Sequence, residues 1–257
     1  MRKLLVLTDL HITPESETII GLDPAARLRK VLEHAAAHHA DADRLILTGD
    51  LTNSGTAIEY DRLARNLQTL PWPVTYLLGN HDRRAGFCQR FPEAAVDADG
   101  FVQTVVDLPE ALLICLDTLD EGGEPKQSGF LCDTRLDWLK SALTGAADRD
   151  VIVFLHHPPF LTGFGGMDSI GLRNRSELLA MLNAHGRVRL IVAGHIHRTI
   201  TGNAEGIPAV TFKSPCHQMP MVLFSPDHSL SVDEPGAYGI LLIGKDGAIV
   251  AHTEDVF

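Results

Sequence analysis

The sequence predicts a mixed α/β fold in which sheets pack on each other with helices outside. Three observations predict it. Apolar, β-branched runs alternate with amphipathic helical stretches over most of the chain, and hairpin-like β segments make up the rest. No Pro, Ser or Gly-rich linker divides the sequence, so residues 1–257 read as one domain. With 45% hydrophobic residues, a chain of this length can bury a large core.

The elements follow in order. "KLLVLTD" (3–9) is a strand, and the helix after it has Asp23 as N-cap, Pro24 at its first position, and Leu28, Val31, Leu32 and Ala35 at helical spacing. "RLILTGD" (44–50) is the next strand; Tyr60, Leu63, Ala64 and Leu67 then share one helix face. "VTYLLGNHD" (74–82) repeats the strand pattern, residues 101–118 read as a hairpin, and Asp133 to Leu143 as a short helix. Strand "DVIVFLHHPP" (150–159), a glycine-rich loop, a helix from Arg175 to His185 and strand "VRLIVAGHIH" resume the series. "IPAVTFKS" (207–214) and "YGILLIGKDGAIVAHT" (238–253) are β, the latter turning at Asp246-Gly247.

Composition narrows the partners. A net charge of -11 opposes the counterion release that drives binding to long nucleic acids, so a polymeric DNA or RNA substrate is disfavoured. The apolar run after the basic start is four residues long, a strand and not a signal peptide, and no run approaches the roughly 20 residues of a membrane helix. Cys88, Cys115, Cys132 and Cys216 are scattered without a C-x-x-C pair, which suits reduced thiols and a cytoplasmic location.

Function enters through the strand ends. Five strand-like runs end in Asp9 and His11, in Asp50, in Asn80 with His81 and Asp82, in His156 with His157, and in His195 with His197. In open α/β sheets ligands bind beyond the carboxyl ends of the strands, so these residues converge there. Carboxylates, imidazoles and one amide without a thiolate suit divalent Mn, Fe, Co or Zn. One ion takes about four protein ligands, so this set is enough for two. In extended backbone His195 and His197 point the same way, and each can hold a different ion of one pair.

The ordered series "DLH" (9–11), "GD" (49–50), "GNHD" (79–82), "HHPP" (156–159) and "GHIH" (194–197) resembles the calcineurin-like metallophosphoesterase superfamily. Within it, the chain is similar to class III cyclic nucleotide phosphodiesterases and bacterial glycerophosphodiesterases, and "SPCHQMP" (214–220) adds a weaker sign. The resemblance implies a four-layer α/β/β/α sandwich of two packed mixed sheets. It places Asp9, His11, Asp50 and His197 around one metal, and Asp50, Asn80, His156 and His195 around the other, with Asp50 bridging. The choice of His156 over His157 as ligand rests on it alone. His81 sits over the phosphate there, and Asp82 is expected to orient the His81 ring.

Departures from the pattern bear on substrate. Members acting on phosphoproteins carry arginines after "GD" and end the third motif in Glu, whereas this chain reads "GDLTNSG" (49–55) and "GNHD". Without an arginine clamp for a dianionic monoester, a diester fits better. Two divalent ions, Asp9, Asp50 and one hydroxide leave a charge of about plus one, matching a singly charged phosphodiester. The expected reaction is in-line attack of metal-activated water on phosphorus, with protonated His81 serving the leaving alkoxide. Expected substrates are 3′,5′-cyclic nucleotides such as cAMP, or glycerophosphodiesters.

Alternatives are a phosphomonoesterase, a 2′,3′-cyclic nucleotide phosphodiesterase or nuclease on the same site, and a non-catalytic metal-binding scaffold. Phe160, Phe164 and Met167 of loop 158–171, with His217, are candidates for the leaving-group pocket. Segment 215–240 carries exposed-looking Met, Val and Phe and is a candidate cap or dimerisation element, so a homodimer or higher homo-oligomer is expected. His34 and His38, one turn apart, read as solvated residues near a helix C-terminus.

Overall fold

The computed structural model describes residues 1–257. In chain order, the first half holds β1 (Arg2–Leu7), α1 (Pro24–His39), β2 (Arg44–Thr48), α2 (Ala57–Leu67), β3 (Val74–Leu77), α3 (Arg84–Arg90), β4 (Thr104–Asp107) and β5 (Leu112–Cys115). Then come α4 (Asp133–Ala146), β6 (Val151–Leu155), α5 (Gly165–Ser169), α6 (Arg175–His185), β7 (Val188–Ala193), β8 (Ile200–Ala204), β9 (Ile207–Thr211), β10 (Gly236–Ile243) and β11 (Ile249–Val256). Asp23 caps α1 by accepting from the Ala25 amide at 3.0 Å, with Pro24 in the first turn. A capping box of Thr56 and Glu59 opens α2.

One sheet has the order β11-β10-β1-β2-β3 and the other β4-β5-β6-β7-β9-β8. Strands β1, β2 and β3 are parallel, as are β5, β6 and β7, so their carboxyl ends open on common edges. The period-two alternation of strands then builds the layers. Leu5 and Leu7 of β1 join α1 and α2 in one core, while Leu4 and Val6 enter a second core between the sheets. On the other sheet, Val151, Val153 and Leu155 pack against α4 and α6, and Ile152 and Phe154 face the first sheet. The result is a four-layer α/β/β/α sandwich.

Three short elements lie outside the sequence expectations: α3, α5 and β8. Strand β8, "ITGNA", has an exposed, polar alternation and carries Gly202 beneath the Phe160 ring. The expected strands also stop early, at Leu7, Thr48 and Leu77, so the polar motif residues lie in the loops beyond them. No helix is long and apolar enough to cross a membrane. From Pro215 to Pro235 the chain forms no helix or regular strand, and within it Met221 and Phe224 are 64% and 80% exposed.

Candidate metal centre

The loops beyond the carboxyl ends of β1, β2, β3, β6 and β7 meet at one place, stitched by their own backbones. The Asp9 and His11 amides donate to the carbonyls of Gly49 and Asp50 at 3.0 and 2.9 Å, and the Gly194 amide to that of His156 at 2.9 Å. Asp9, His11, Asp50, His195 and His197 all have positive φ, five of the nine non-glycine residues that do. Such strain concentrates at functional sites, where the surroundings hold it in place. The expected extended backbone at His195 and His197 is therefore corrected. With φ of 75° and 51° they lie in a left-handed turn, and that turn, not strand alternation, aims both rings inward.

Close approach needs glycine at two of these loops. A β-carbon on Gly79 would run into the Asp50 carboxylate and the His156 ring, and one on Gly194 into the Thr8 hydroxyl.

Two groups of donor atoms result. In the first, Nε2 of His11 and Nε2 of His197 are 3.0 Å apart, and His197 Nε2 is 3.5 Å from Asp9 Oδ1. In the second, His156 Nε2 is 3.1 Å from Asn80 Oδ1, and the His195 ring lies 5.1 Å from the His156 ring. Asp50 Oδ2 belongs to both, 3.7 Å from His11 Nε2 and 3.3 Å from His156 Nε2. Its other oxygen accepts from the His81 amide at 2.8 Å. Asp9 is held by the Thr8 hydroxyl at 2.7 Å and the His195 amide at 3.0 Å.

The residues fit divalent cations. His156 Nδ1 faces the Thr48 carbonyl at 2.9 Å and His197 Nδ1 the His217 carbonyl at 3.1 Å, so those nitrogens carry the protons. Both Nε2 atoms then face further acceptors: Asp50 and Asn80 oxygens for His156, Asp9 for His197. Buried His195 Nε2 has no hydrogen-bond partner at all. Such acceptor contacts in a buried place need positive charge between the atoms, a proton or a divalent cation. His157 differs: both of its nitrogens are occupied, by the Thr118 hydroxyl at 2.8 Å and the Gln127 carbonyl at 3.1 Å.

Electrostatics agree with this division. Burial pushes His11 and His195 well below the ordinary histidine range, and takes His197 down to about 4. Burial is the largest influence on Asp50 and opposes its charge, but His156, His81 and His11 together outweigh it and hold the carboxyl well below its usual value. His156 pays the same burial penalty, is rescued by Asp50, and rises to about 9. Asp9 rises to about 7 through burial, with Asp50 adding repulsion against the attraction of His156. Without cations, protons neutralise this site.

A cavity of about 260 Å³ opens over the donors, lined by His11, Asp50, Asn80, His81, His195, His197 and His217. The rest of its lining comes from Ile19, Asn53, Gln127, Met167, Ile170, Met219, His228 and residues 229–231, apolar, amide, hydroxyl and one imidazole in character, with no arginine or lysine. His217 packs on His197 with ring centroids 4.5 Å apart. His81 Nδ1 faces the Asn53 carbonyl at 2.7 Å, leaving Nε2 as its free nitrogen.

Three of the expected site residues are placed differently. Asp82 does not touch the His81 ring. Its buried carboxylate turns back to accept from the amides of Leu51, Thr52 and Gly79 and from the Tyr60 hydroxyl, tying the loops of Asp50 and Asn80 together. Burial, with repulsion from Asp50, raises it to about 6. Phe160 stands against Gly202 and the α4/α6 core, outside the cavity. Phe164 is buried with Met167, Ile170, Ile196 and Met219, behind the wall that Met167 forms. A loop without a repeat gives no indication of which apolar residue faces in. The carbonyls of Thr48, Asn53 and His217 that hold the His156, His81 and His197 rings have no counterpart in the sequence motifs, because backbone atoms carry no sequence signature.

Comparisons with known proteins place the chain among metallophosphoesterases. The profile of the calcineurin-like phosphoesterase family covers residues 2–199. A probable cyclic nucleotide phosphodiesterase of Rhodopseudomonas palustris is 38% identical over 96% of this chain and 90% of its own. The 3′,5′-cyclic adenosine monophosphate phosphodiesterase CpdA of Pseudomonas aeruginosa is 30% identical, covering 98% and 90%. A probable glycerophosphodiester phosphodiesterase, GpdQ, of Arcobacter nitrofigilis is 30% identical, covering 96% and 90%. Among solved structures, a dimetal phosphatase of Danio rerio shares the fold with a TM-score of 0.69 at 15% identity, over 100% of this chain and 99% of that one. The chain belongs to the calcineurin-like phosphoesterase family.

Proposed function

We propose that the protein is a metal-dependent hydrolase of small phosphodiesters, 3′,5′-cyclic nucleotides or glycerophosphodiesters, working with two divalent cations drawn from Mn, Fe, Zn and Co. One observation carries the reading: Asp50 Oδ2 stands within 3.7 Å of His11 Nε2 and 3.3 Å of His156 Nε2, common to both donor groups. Asp9, His11, Asp50 and His197 would hold one ion, and Asp50, Asn80, His156 and His195 the other. When bound, such ions polarise phosphoryl oxygens and lower the pKa of water.

The chain's own groups do the rest. Asn80, His81 and His217 line the cavity where the phosphate rests. The Asn53 carbonyl fixes the His81 ring through Nδ1, so Nε2 is the nitrogen that passes a proton to the departing alkoxide. Ile19, Met167, Ile170 and Met219 keep bulk water from the donors. The diester reading is supported by the cavity's lack of any arginine or lysine, and by the names of the relatives at 30–38% identity.

The exposed run Met221 to Phe224 supports self-association through segment 215–240; sedimentation velocity showing a monomer at micromolar concentration would remove that support. The function itself is tested by incubating Mn²⁺-loaded protein with cAMP, 2′,3′-cyclic AMP, glycerophosphoethanolamine, AMP and an oligonucleotide. Turnover of cAMP or the glycerol diester well above AMP and the oligonucleotide is expected. Faster turnover of AMP would overturn the diester reading.

A further inference from the structure

Strand β3 is the last strand of one sheet and β4 of the other, and between these two edges the sandwich opens into a second cleft of about 620 Å³. Arg44, Thr75, Tyr76, Arg90, Phe91 and Thr104 are among its walls. We propose that this cleft binds a small organic anion, a carboxylate or phosphate carried on a flat ring, with Arg44 as its charge partner. The proposal is independent of the metal centre.

Arg44 occupies a position that alternation turns inward. It precedes Ile46 by two residues on β2, and Ile46 lies in the core between the sheets. Thr75 stands in the same relation to Leu77 of that core. The guanidinium charge reaches buried Cys115, where it opposes the rise that burial imposes on the thiol.

A guanidinium in such a place needs acceptors. Arg44 Nη1 donates to the Thr75 hydroxyl at 2.9 Å, while its Nε is buried and has no acceptor. Nearby arginines are satisfied: Arg90 by Asp61 at 2.6 Å, Arg149 by Asp107 at 3.2 Å, and Arg2 by Asp43 and Glu110. Arg44 has no carboxylate of its own, in a chain with a net charge of -11. Arg44 is half-buried, but its buried Nε–H without an acceptor is disfavoured, and the fork of Nε and Nη2 matches a two-oxygen anion. Glu93 lies at the exposed rim, where it limits how many negative charges the ligand carries.

The remaining walls describe the ligand's body. The rings of Tyr76 and Phe91, 5.1 Å apart, and the side chain of Val106 offer flat apolar surface beside the charge. A bare ion leaves that surface wet, whereas a ring covers it.

The test follows the Arg44 Nε–H signal by NMR in metal-loaded protein during titration with benzoate, AMP and inorganic phosphate. Reading the signal at Arg44 separates the cleft from the metal centre. Saturable shifts with benzoate or AMP at concentrations at least tenfold below those needed with inorganic phosphate are expected, and the tighter of the two identifies the head group. Arg44→Gln should weaken benzoate at least tenfold in calorimetry while leaving bis(p-nitrophenyl) phosphate hydrolysis unchanged. If that variant does not fold, Arg44→Lys, which keeps the charge without the fork, should also weaken benzoate. No shift with either ring-bearing anion, equal shifts with inorganic phosphate, or benzoate affinity unchanged in both variants would overturn the proposal.

Discussion

Oδ2 of Asp50 lies 3.3 Å from Nε2 of His156, a nitrogen whose ring partner already faces the Thr48 carbonyl at 2.9 Å. The same oxygen is 3.7 Å from His11 Nε2. A single atom thus joins two sets of donors. Asp50→Asn should therefore bind fewer than two Mn²⁺ per chain by elemental analysis and lose about 10²- to 10³-fold or more in diester turnover. Retention of both ions with normal turnover would refute a shared role.

His81 touches the cavity with Nε2 while Asn53 holds its other nitrogen. Its loss should matter only where the leaving group needs a proton. We expect His81→Ala to slow an alkyl diester by about 10²- to 10⁴-fold, and to slow bis(p-nitrophenyl) phosphate far less. Equal losses on both substrates would remove the acid role.

Asp82 acts on structure. Its carboxylate accepts from three amides and from the hydroxyls of Thr52 and Tyr60, all buried. Asp82→Ala leaves those donors without an acceptor and should cost about 3 kcal/mol. At about 2–4 °C per kcal/mol for a chain of this size, thermal unfolding of the metal-free protein should fall by roughly 6–12 °C. His81→Ala should leave the midpoint nearly unchanged, and similar losses in the two variants would contradict this assignment.

Protons and cations compete for the same atoms. In the metal-free protein Asp9 keeps its proton up to about pH 7 and His156 up to about pH 9. Both must leave when cations bind, so affinity rises with pH. Combined Mn²⁺ affinity should climb by about a hundredfold per pH unit below the Asp9 value and about tenfold per unit between the two values. Calorimetry in buffers of different ionisation enthalpy counts the released protons. Affinity flat from pH 6 to 9 would rule this competition out.

Much of this was legible before the fold was known, for a physical reason. Parallel strands buried on both faces must be continuous apolar runs, so a polar residue ending such a run, as Asp9 ends "KLLVLT", marks the catalytic edge. The histidines of "GHIH" stood out in the same way, although their left-handed backbone did not. Contacts set by side-chain direction within loops were hidden. Asp82 adjoins His81 in sequence yet turns toward Tyr60, and Phe160 and Met167 leave the same loop toward opposite sides. Strand β8 and helix α5 were too short and too polar or glycine-rich to announce themselves.

The most direct measurement is anomalous diffraction from crystals of the Mn²⁺-loaded protein, collected near the metal edge. Two peaks roughly 3.5–4 Å apart, flanking Asp50 and reached by His11 and His197 on one side and His156 and His195 on the other, are the predicted result. A single peak, or two peaks of which only one contacts Asp50, would contradict a dinuclear centre built on that carboxylate.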